Sequence, residues 1–141
     1  ELLGRCAFDG VVMNPPYTRM GGGPVSQMDT RALSRHQLTC TLEDMADAAY
    51  GVLRNGGRLS VVYPAEGIYE LMDACVKCKM MPKKLRMVQH TADRAPKLLL
   101  MEAVREGRRG VEWLAPLVLC RQDGSYTSEA YQIYYGRAEE E

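Results

Sequence analysis

The stretch Asn14-Pro15-Pro16-Tyr17 constrains the fold of this chain more than any other feature of the sequence. It ends an apolar run that predicts a strand over residues 8–14, of the kind buried on both faces of a parallel sheet. The two prolines remove two N–H donors and fix two φ angles near about −65°. The chain should therefore leave the strand stiffly, with an amide, a carbonyl and an aromatic ring at the carboxyl edge, where open α/β sheets bind ligands.

Helical and extended patterns alternate after this stretch. A helix is predicted over residues 36–54, because Leu42, Met45 and Ala49 fall on one face; Thr39 or Thr41 would cap it. Asn55-Gly56-Gly57 is expected to end this helix. The remaining predicted elements are a strand over 59–63 that Pro64 stops, a helix over 66–80 that Pro82 ends, strands over 83–89 and 97–104, an edge strand over 113–120 interrupted by Pro116, and a helix over 128–135.

This order of elements predicts an α/β fold. The strand–helix–strand alternation implies parallel strands with right-handed crossovers. The short connection between residues 89 and 97 implies that the last two long strands close the sheet as an antiparallel hairpin.

Composition limits the class of protein. The chain has 141 residues, enough for one domain with a core, and a net charge of zero, so overall charge does not indicate a nucleic-acid partner. No apolar run approaches the roughly 18 residues of a membrane helix, so no membrane partner is expected. The odd number and irregular spacing of the cysteines favour a reducing cytoplasm over disulfides. Cys75-x-x-Cys78 lacks a second ligand pair, and no metal site is predicted.

Two basic regions are candidates for phosphate contact. Residues 18–35 form a long loop that contains Gly21-Gly22-Gly23 and three arginines, Arg19, Arg31 and Arg35. We interpret it as a substrate loop for nucleic acid; a solvated flexible loop is the alternative. Five cations, Lys77, Lys79, Lys83, Lys84 and Arg86, fall within ten residues without an acid. Lys77 and Lys79 equally suit a solvated helix end.

The sequence Asp-x-Val-Val-x-Asn-Pro-Pro-Tyr, residues 9–17, resembles the catalytic motif of S-adenosylmethionine-dependent methyltransferases that modify amino or amide nitrogens. The resemblance implies that Asn14, Pro15, Pro16 and Tyr17 are catalytic. The side-chain oxygen of Asn14 and the carbonyl of Pro15 would each accept an N–H from an exocyclic amine and aim its lone pair at the methyl group. Tyr17 would stack on the base.

Three flanking runs narrow this resemblance. Residues 31–44, 82–86 and 123–127 resemble the equivalent segments of bacterial valine-tRNA adenine methyltransferases, which implies a tRNA partner and contacts from Arg19, Arg31, Arg35, Lys83, Lys84 and Arg86. Residues 93–96 depart from the pattern, since Asp-Arg-Ala-Pro replaces a Lys-Glu-Ala-Asn-like stretch. The tetrapeptide also occurs in release-factor glutamine methyltransferases. A non-catalytic RNA-binding or interaction fragment is a further alternative.

The family's cofactor-binding half is missing from this sequence. No Gly-x-Gly pattern follows a strand, and Gly21-Gly22-Gly23 lies after the tetrapeptide rather than before it. Residues 1–141 are thus expected to form a single partial domain, the C-terminal half of a Rossmann-like class I methyltransferase sheet. S-adenosyl-L-methionine would be held mostly by the other half, with Asn14 as the contribution of this chain. We also expect an exposed sheet edge that favours self-association.

Overall fold

The computed structural model describes residues 6–17 and 40–137, which form a mixed sheet, two helices on one face and a third helix at one end. In chain order the elements are β1 (Phe8–Met13), α1 (Leu42–Val52), β2 (Leu53–Pro64), a 3-10 turn (Ala65–Gly67), α2 (Ile68–Lys77), β3 (Met80–Gln89), β4 (Leu98–Arg105), β5 (Glu112–Trp113), β6 (Leu117–Val118) and α3 (Ser128–Tyr135). The predicted loop over residues 18–35, with Arg19, Arg31 and Arg35, lies outside the described residues.

The order of the long strands is β1-β2-β4-β3, and the short strands β5 and β6 both pair with β3. β1 and β2 are parallel. β4 runs antiparallel to both β2 and β3, so β3 points the same way as β1 and β2. The predicted α/β class and the antiparallel hairpin over the last two long strands are confirmed. The carboxyl ends of β1, β2 and β3 share one edge, hereafter the carboxyl edge.

The prediction that the first strand is buried on both faces is wrong for this chain. Phe8 is 39% exposed and Val12 is 81% exposed. The reason is position, because β1 is the last strand at its end of the sheet order and has one strand neighbour, β2, within the described part of the chain. β1, an apolar strand at the end of the sheet order, is the exposed edge that we expected from the sequence.

Local signals place α1 later and shorter than predicted. Thr41, not Thr39, is the N-cap: its hydroxyl accepts the Asp44 N–H at 3.1 Å, and its own N–H donates to the Asp44 carboxylate at 2.9 Å. These two bonds form a capping box and lower the pKa of Asp44. Ala46 and Ala49 face the sheet and are buried, as the helical spacing predicted.

Two predicted stops lie inside strands. Residues 55–57 do not end α1, which stops at Val52; they lie within β2, where Gly56 adopts a φ of +74° that favours glycine. Pro82 does not end α2, which stops at Lys77; it is buried within β3 at a shift of strand register. A strand tolerates proline at such an irregularity because the regular ladder of donors is already interrupted there.

The main core lies between the sheet and the pair α1 and α2. We call this side the helical face; its buried strand residues are Leu59, Val61, Tyr63, Leu85, Leu99, Met101 and Ala103, which pack with Leu71 and Cys75 of α2. The opposite side, the open face, consists of the alternate residues of the same strands. Strand registers align Val12, Ser60, Glu102 and Lys84 in one row across it, and Val62, Leu100 and Arg86 in the next.

The C-terminal region follows its predicted pattern. β5 and β6 replace the interrupted strand predicted over 113–120, with Pro116 between them. α3 spans Ser128–Tyr135, the predicted bounds, and Gly136 ends it in the left-handed conformation. No helix within the described residues is long and apolar enough to span a membrane.

Candidate functional site at the carboxyl edge

The Asn-Pro-Pro-Tyr stretch leaves β1 at the carboxyl edge and is held there by residues that follow β2. The Tyr17 hydroxyl donates a hydrogen bond to the Glu66 carboxylate. The Tyr17 ring packs edge-on against Tyr63, with centroids 5.8 Å apart and planes at 90°. The ends of two adjacent parallel strands are therefore joined through the side chains of their loops.

The four residues of the stretch differ in burial. Pro15 is buried, whereas Asn14 and Pro16 are exposed and Tyr17 is 36% exposed. Rigid proline geometry on a buried anchor limits the positions that the Asn14 amide and the Tyr17 ring adopt. The arrangement presents an amide and an aromatic ring to solvent from a stiff backbone, which suits binding of a planar, hydrogen-bonding ligand.

Tyr63 links the candidate site to the core. It is 8% exposed at the end of β2, and burial, followed by the negative charge of Glu70, raises its pKa above the ordinary tyrosine value. A β-carbon at Gly67 would lie 2.4 Å from the Tyr63 ring, so the ring fits only because residue 67 is glycine. The ring on which Tyr17 rests is thus itself fixed by close packing.

Sequence reasoning missed Tyr63, Glu66 and Gly67 as parts of this site. One signal was available, since Pro64 marks the carboxyl end of a strand parallel to β1. The carboxyl ends of neighbouring parallel strands meet at one edge. The sequence did not indicate that the loop after β2 would reach back to the tetrapeptide, because that contact depends on side-chain packing between residues nearly fifty positions apart.

The open face forms a groove that reaches β1 at Val12, two residues before Asn14. Its volume is about 290 Å³. Its lining is mainly apolar, with three charged side chains among the apolar ones, and includes Val12, Ser60, Val62, Leu100, Leu114, Lys84, Arg86 and Glu102. At Arg86 and Leu100 the groove borders α3, because the same two side chains line a second pocket with Ala130, Ile133 and Tyr134 of that helix.

The predicted phosphate contacts have different surroundings. Lys83 donates to the carbonyls of Arg108 and Gly110 at 3.0 and 2.9 Å, and this turn lies at the opposite end of the sheet from Asn14. Arg86 donates to the Ala115 carbonyl and pairs with Glu129 at 2.6 Å. These bonds give Lys83 and Arg86 internal structural roles.

Lys84 lines the open groove and is half-buried there. Lys77, in contrast, pairs with Glu43 of α1 and Asp73 of α2, and hydrogen bonds first to Asp73 and then to Glu43 raise its pKa. The structure therefore favours the helix-end interpretation for Lys77. The basic run seen in the sequence does not form one continuous surface.

The cysteine pair is part of the helical face. Burial, with a smaller contribution from Cys78, raises the pKa of Cys75 to about 12, so its thiol is protonated near neutral pH. Within residues 6–17 and 40–137 no three side chains of the metal-ligating types cluster. Cys75 is a packing residue between α2 and the sheet.

Two solved structures that share this fold are described as methyltransferases. A predicted O-methyltransferase from Agrobacterium tumefaciens superposes with a TM-score of 0.71 at 20% identity, covering 96% of this chain and 55% of that protein. A Thermus thermophilus protein assigned as a DNA modification methylase, solved with S-adenosyl-L-methionine, gives 0.51 at 15% identity, covering 77% and 52%. The fold is the C-terminal half of a Rossmann-like methyltransferase sheet.

The names of the curated relatives specify a substrate nucleotide, which the names of the solved structures do not. Two proteins called tRNA1(Val) (adenine(37)-N6)-methyltransferase match, one from Porphyromonas gingivalis W83 at 28% identity over 102 residues and one from Histophilus somni 2336 at 29% over 127 residues. The chain spans 39% and 49% of their lengths, while 72% and 86% of this chain is aligned. No family model matches the sequence. The chain thus resembles the C-terminal half of these tRNA adenine methyltransferases.

The described residues only partly fit S-adenosyl-L-methionine. Asn14 and Pro15 supply oxygen acceptors at the carboxyl edge, which suit an amine that receives a methyl group. The strands described here are not followed by a Gly-x-Gly turn of the kind that approaches such a cofactor. Within residues 6–17 and 40–137, oxygen acceptors are therefore present at the carboxyl edge, whereas a Gly-x-Gly turn after a strand is not.

Proposed function

We propose that this chain is the amine-positioning half of an S-adenosylmethionine-dependent tRNA adenine N6-methyltransferase. The observation that carries the proposal is the Asn14–Tyr17 stretch at the carboxyl end of β1, braced on the loop after β2 through Tyr17, Glu66 and Tyr63. The fold of methyltransferases and the resemblance to tRNA1(Val)-modifying relatives support it. Residues 1–141 act, on this proposal, as one partial domain.

The proposed chemistry is positioning of a weak nucleophile. The exocyclic nitrogen of adenine reacts poorly because its lone pair is delocalised into the ring. Hydrogen bonds from its two N–H groups to the Asn14 side-chain oxygen and the Pro15 carbonyl reduce this delocalisation and direct the lone pair. Stacking of the base on Tyr17 holds the ring in register. Such fixed acceptors lower the barrier without a strong general base.

S-adenosyl-L-methionine, when bound, supplies an electrophilic methyl group. On this proposal a preceding half of the sheet packs beside β1 and binds most of the cofactor, while Asn14 contacts it from this half. The exposure of Val12 and the single described neighbour of β1 support a partner at this position. The isolated chain is then expected to bind the cofactor weakly and, with its edge unpaired, to self-associate.

We propose valine tRNA as the substrate and the adenine beside the anticodon as the target, in the cytoplasm. Lys84 is the proposed phosphate contact beside the open groove. Arg86, Lys83, Arg19, Arg31 and Arg35 are retained as proposed contacts on the basis of the sequence. Because phosphate contacts release counterions, binding to tRNA should weaken steeply as salt increases.

A chimeric enzyme tests the proposal. The N-terminal half of the Histophilus somni relative is fused to residues 1–141, and transfer of a tritiated methyl group is measured on unmodified valine tRNA and on a release factor. We expect methylation of an adenine in the tRNA. Calorimetric titration with S-adenosyl-L-methionine verifies that the chimera is assembled. An assembled chimera that methylates neither substrate, or only the release factor, would contradict the proposed function.

A further inference from the structure

Four tyrosines form one exposed cluster at the C-terminal end of the molecule. The tyrosine cluster consists of Tyr126, Tyr131, Tyr134 and Tyr135. Ring centroids are 5.2 Å apart for Tyr126 and Tyr134 and 4.6 Å apart for Tyr131 and Tyr135, with planes tilted by 37° and 42°. Tyr134 and Tyr135 nevertheless remain 57% and 56% exposed. Large ring surfaces that pack on one another yet remain open to solvent are candidates for an interaction site.

The cluster is held rigidly against the sheet. Arg86 of β3 pairs with Glu129 in the first turn of α3. The Thr127 hydroxyl donates to the Val118 carbonyl of β6 at 2.6 Å and also accepts the Ala130 N–H. Ala130 is 1% exposed. Because α3 is fixed at its start and on its inner face, the rings are presented with little conformational freedom left to lose on binding.

The location of α3 connects the cluster with the candidate site. Ala130 and Tyr134 line a pocket together with Val88, Leu98 and Leu100. Strand registers place Val88 and Leu98 at the carboxyl edge, in line with Pro64 of β2. β3 lies three strand spacings from β1, or about 14 Å. The inner face of α3 therefore packs at the edge of the sheet that also carries Asn14, and a short single strand of RNA can span the distance between β3 and β1.

Two arginines lie next to the tyrosine cluster. Arg86 pairs with Glu129 at the start of α3. Arg121 donates to the Tyr126 carbonyl and to the hydroxyls of Ser125 and Ser128, which places its guanidinium beside the cluster. Aromatic rings next to arginine are the combination with which proteins bind unpaired bases and the phosphates between them.

We propose that the tyrosine cluster is a stacking platform for unpaired RNA bases. It would hold the single-stranded nucleotides that flank the target adenine, while Asn14 receives the adenine itself. This inference rests on the proposed function for the identity of the RNA, but binding of single-stranded RNA by α3 can be measured without cofactor or methyl transfer. The bound class is single-stranded RNA rather than a duplex, because stacked base pairs do not expose their faces.

The test measures fluorescence anisotropy of an unstructured, adenine-containing RNA oligonucleotide with the 141-residue chain. Replacing both Tyr134→Leu and Tyr135→Leu keeps apolar side chains but removes the rings, and should weaken binding by about tenfold or more. The paired Tyr134→Phe and Tyr135→Phe variant retains the rings and should bind within about twofold of the wild type. This phenylalanine variant, together with circular dichroism, also checks that α3 remains folded.

Trp113→Leu is the matched control. Trp113 is 58% exposed, as exposed as Tyr134, but its register partner is Leu85, so it belongs to the opposite side of the sheet. This variant should bind RNA like the wild type. A blunt RNA duplex supplies the second control, since its binding should be equally weak for all variants.

Three results would overturn the inference. The first is unchanged oligonucleotide binding in the double leucine variant, and the second is equal loss for oligonucleotide and duplex. The third is a wild-type chain that does not bind the oligonucleotide. If that chain also self-associates in sedimentation and the leucine variant does not, the cluster is a protein interface. A chimera that fails to methylate tRNA, with ring-dependent RNA binding intact, would contradict the proposed function and leave this inference standing.

Discussion

The helical face and the open face are built by the same strands, yet they differ in packing. On the helical face Leu59, Leu85 and Leu99 are almost completely buried beneath α1 and α2. On the open face Val12 is 81% exposed and the charged side chains of Lys84 and Glu102 lie among apolar ones. One face thus holds the fold together, whereas the other has its apolar residues available for a partner.

The carboxyl edge connects the two faces. Tyr63 belongs to the helical face, and Tyr17 packs against it from the loop that follows β1. The site is therefore positioned by the packed side and presented next to the unpacked side. We therefore expect that stability and proposed function can be altered separately. Substitutions in each region measure how far the two are independent.

The largest effect is expected when two adjacent leucines of β4 are replaced one at a time and the two variants are compared. Leu99 is 0% exposed on the helical face, and Leu99→Ala should lower the free energy of unfolding by about 2–5 kcal/mol because it leaves a cavity. Leu100→Ala, on the open face, should cost about 1 kcal/mol or less. Urea unfolding followed by circular dichroism measures both; equal losses would show that the open face is packed in solution.

Asn14→Ala should give the next largest effect, and on activity rather than on stability. Loss of one of two acceptors in the chimeric enzyme should reduce turnover by about 10²-fold or more, by analogy with removal of one oxyanion-hole donor. Affinity for tRNA and urea stability should remain nearly unchanged, because Asn14 is exposed. Asn14→Asp retains an acceptor oxygen and should retain more activity than the alanine variant. Normal turnover in Asn14→Ala would refute the catalytic assignment.

Gly67→Ala tests the connection between the packed face and the site. The added methyl group would lie 2.4 Å from the Tyr63 ring, so the ring must move. We expect a loss of about 1–3 kcal/mol in stability, as for other overpacked sites. Turnover of the chimera should fall as well, since Tyr63 supports Tyr17. Thermal unfolding and methyl transfer are measured together; a stable Gly67→Ala protein with full turnover would show that Tyr63 does not position the site.

Thr41→Ala should have the smallest effect and should be confined to the helical face. It removes the N-cap of α1, and caps of this type contribute about 1 kcal/mol. Chemical denaturation measures the loss. Methyl transfer by the chimera should be unaffected below the unfolding transition, since the two bonds that Thr41 makes are both to Asp44, within the first turn of α1. A reduced turnover at full folding would show that the two regions are coupled.

Short-range patterns in the sequence were sufficient to predict much of this fold. The alternation of elements, the parallel first pair of strands, the hairpin of β3 and β4 and the bounds of α3 all followed from periodicity and turn residues. The stops at Gly56 and Pro82 were misread because glycine and proline mark strand irregularities as well as helix ends. Whether a glycine or proline ends a helix or interrupts a strand depends on which part of the protein packs against that stretch.

The stiff exit from β1 and the residues that it displays follow from the sequence alone, because proline geometry is local. The tertiary arrangement was needed to show that β1 lies at the edge of the sheet, that Glu66 and Tyr63 brace Tyr17, and that Lys83 and Arg86 hold internal partners. These facts depend on which strands become neighbours. The physical reason is that burial and side-chain contacts between residues distant in sequence arise from packing, which no short motif encodes.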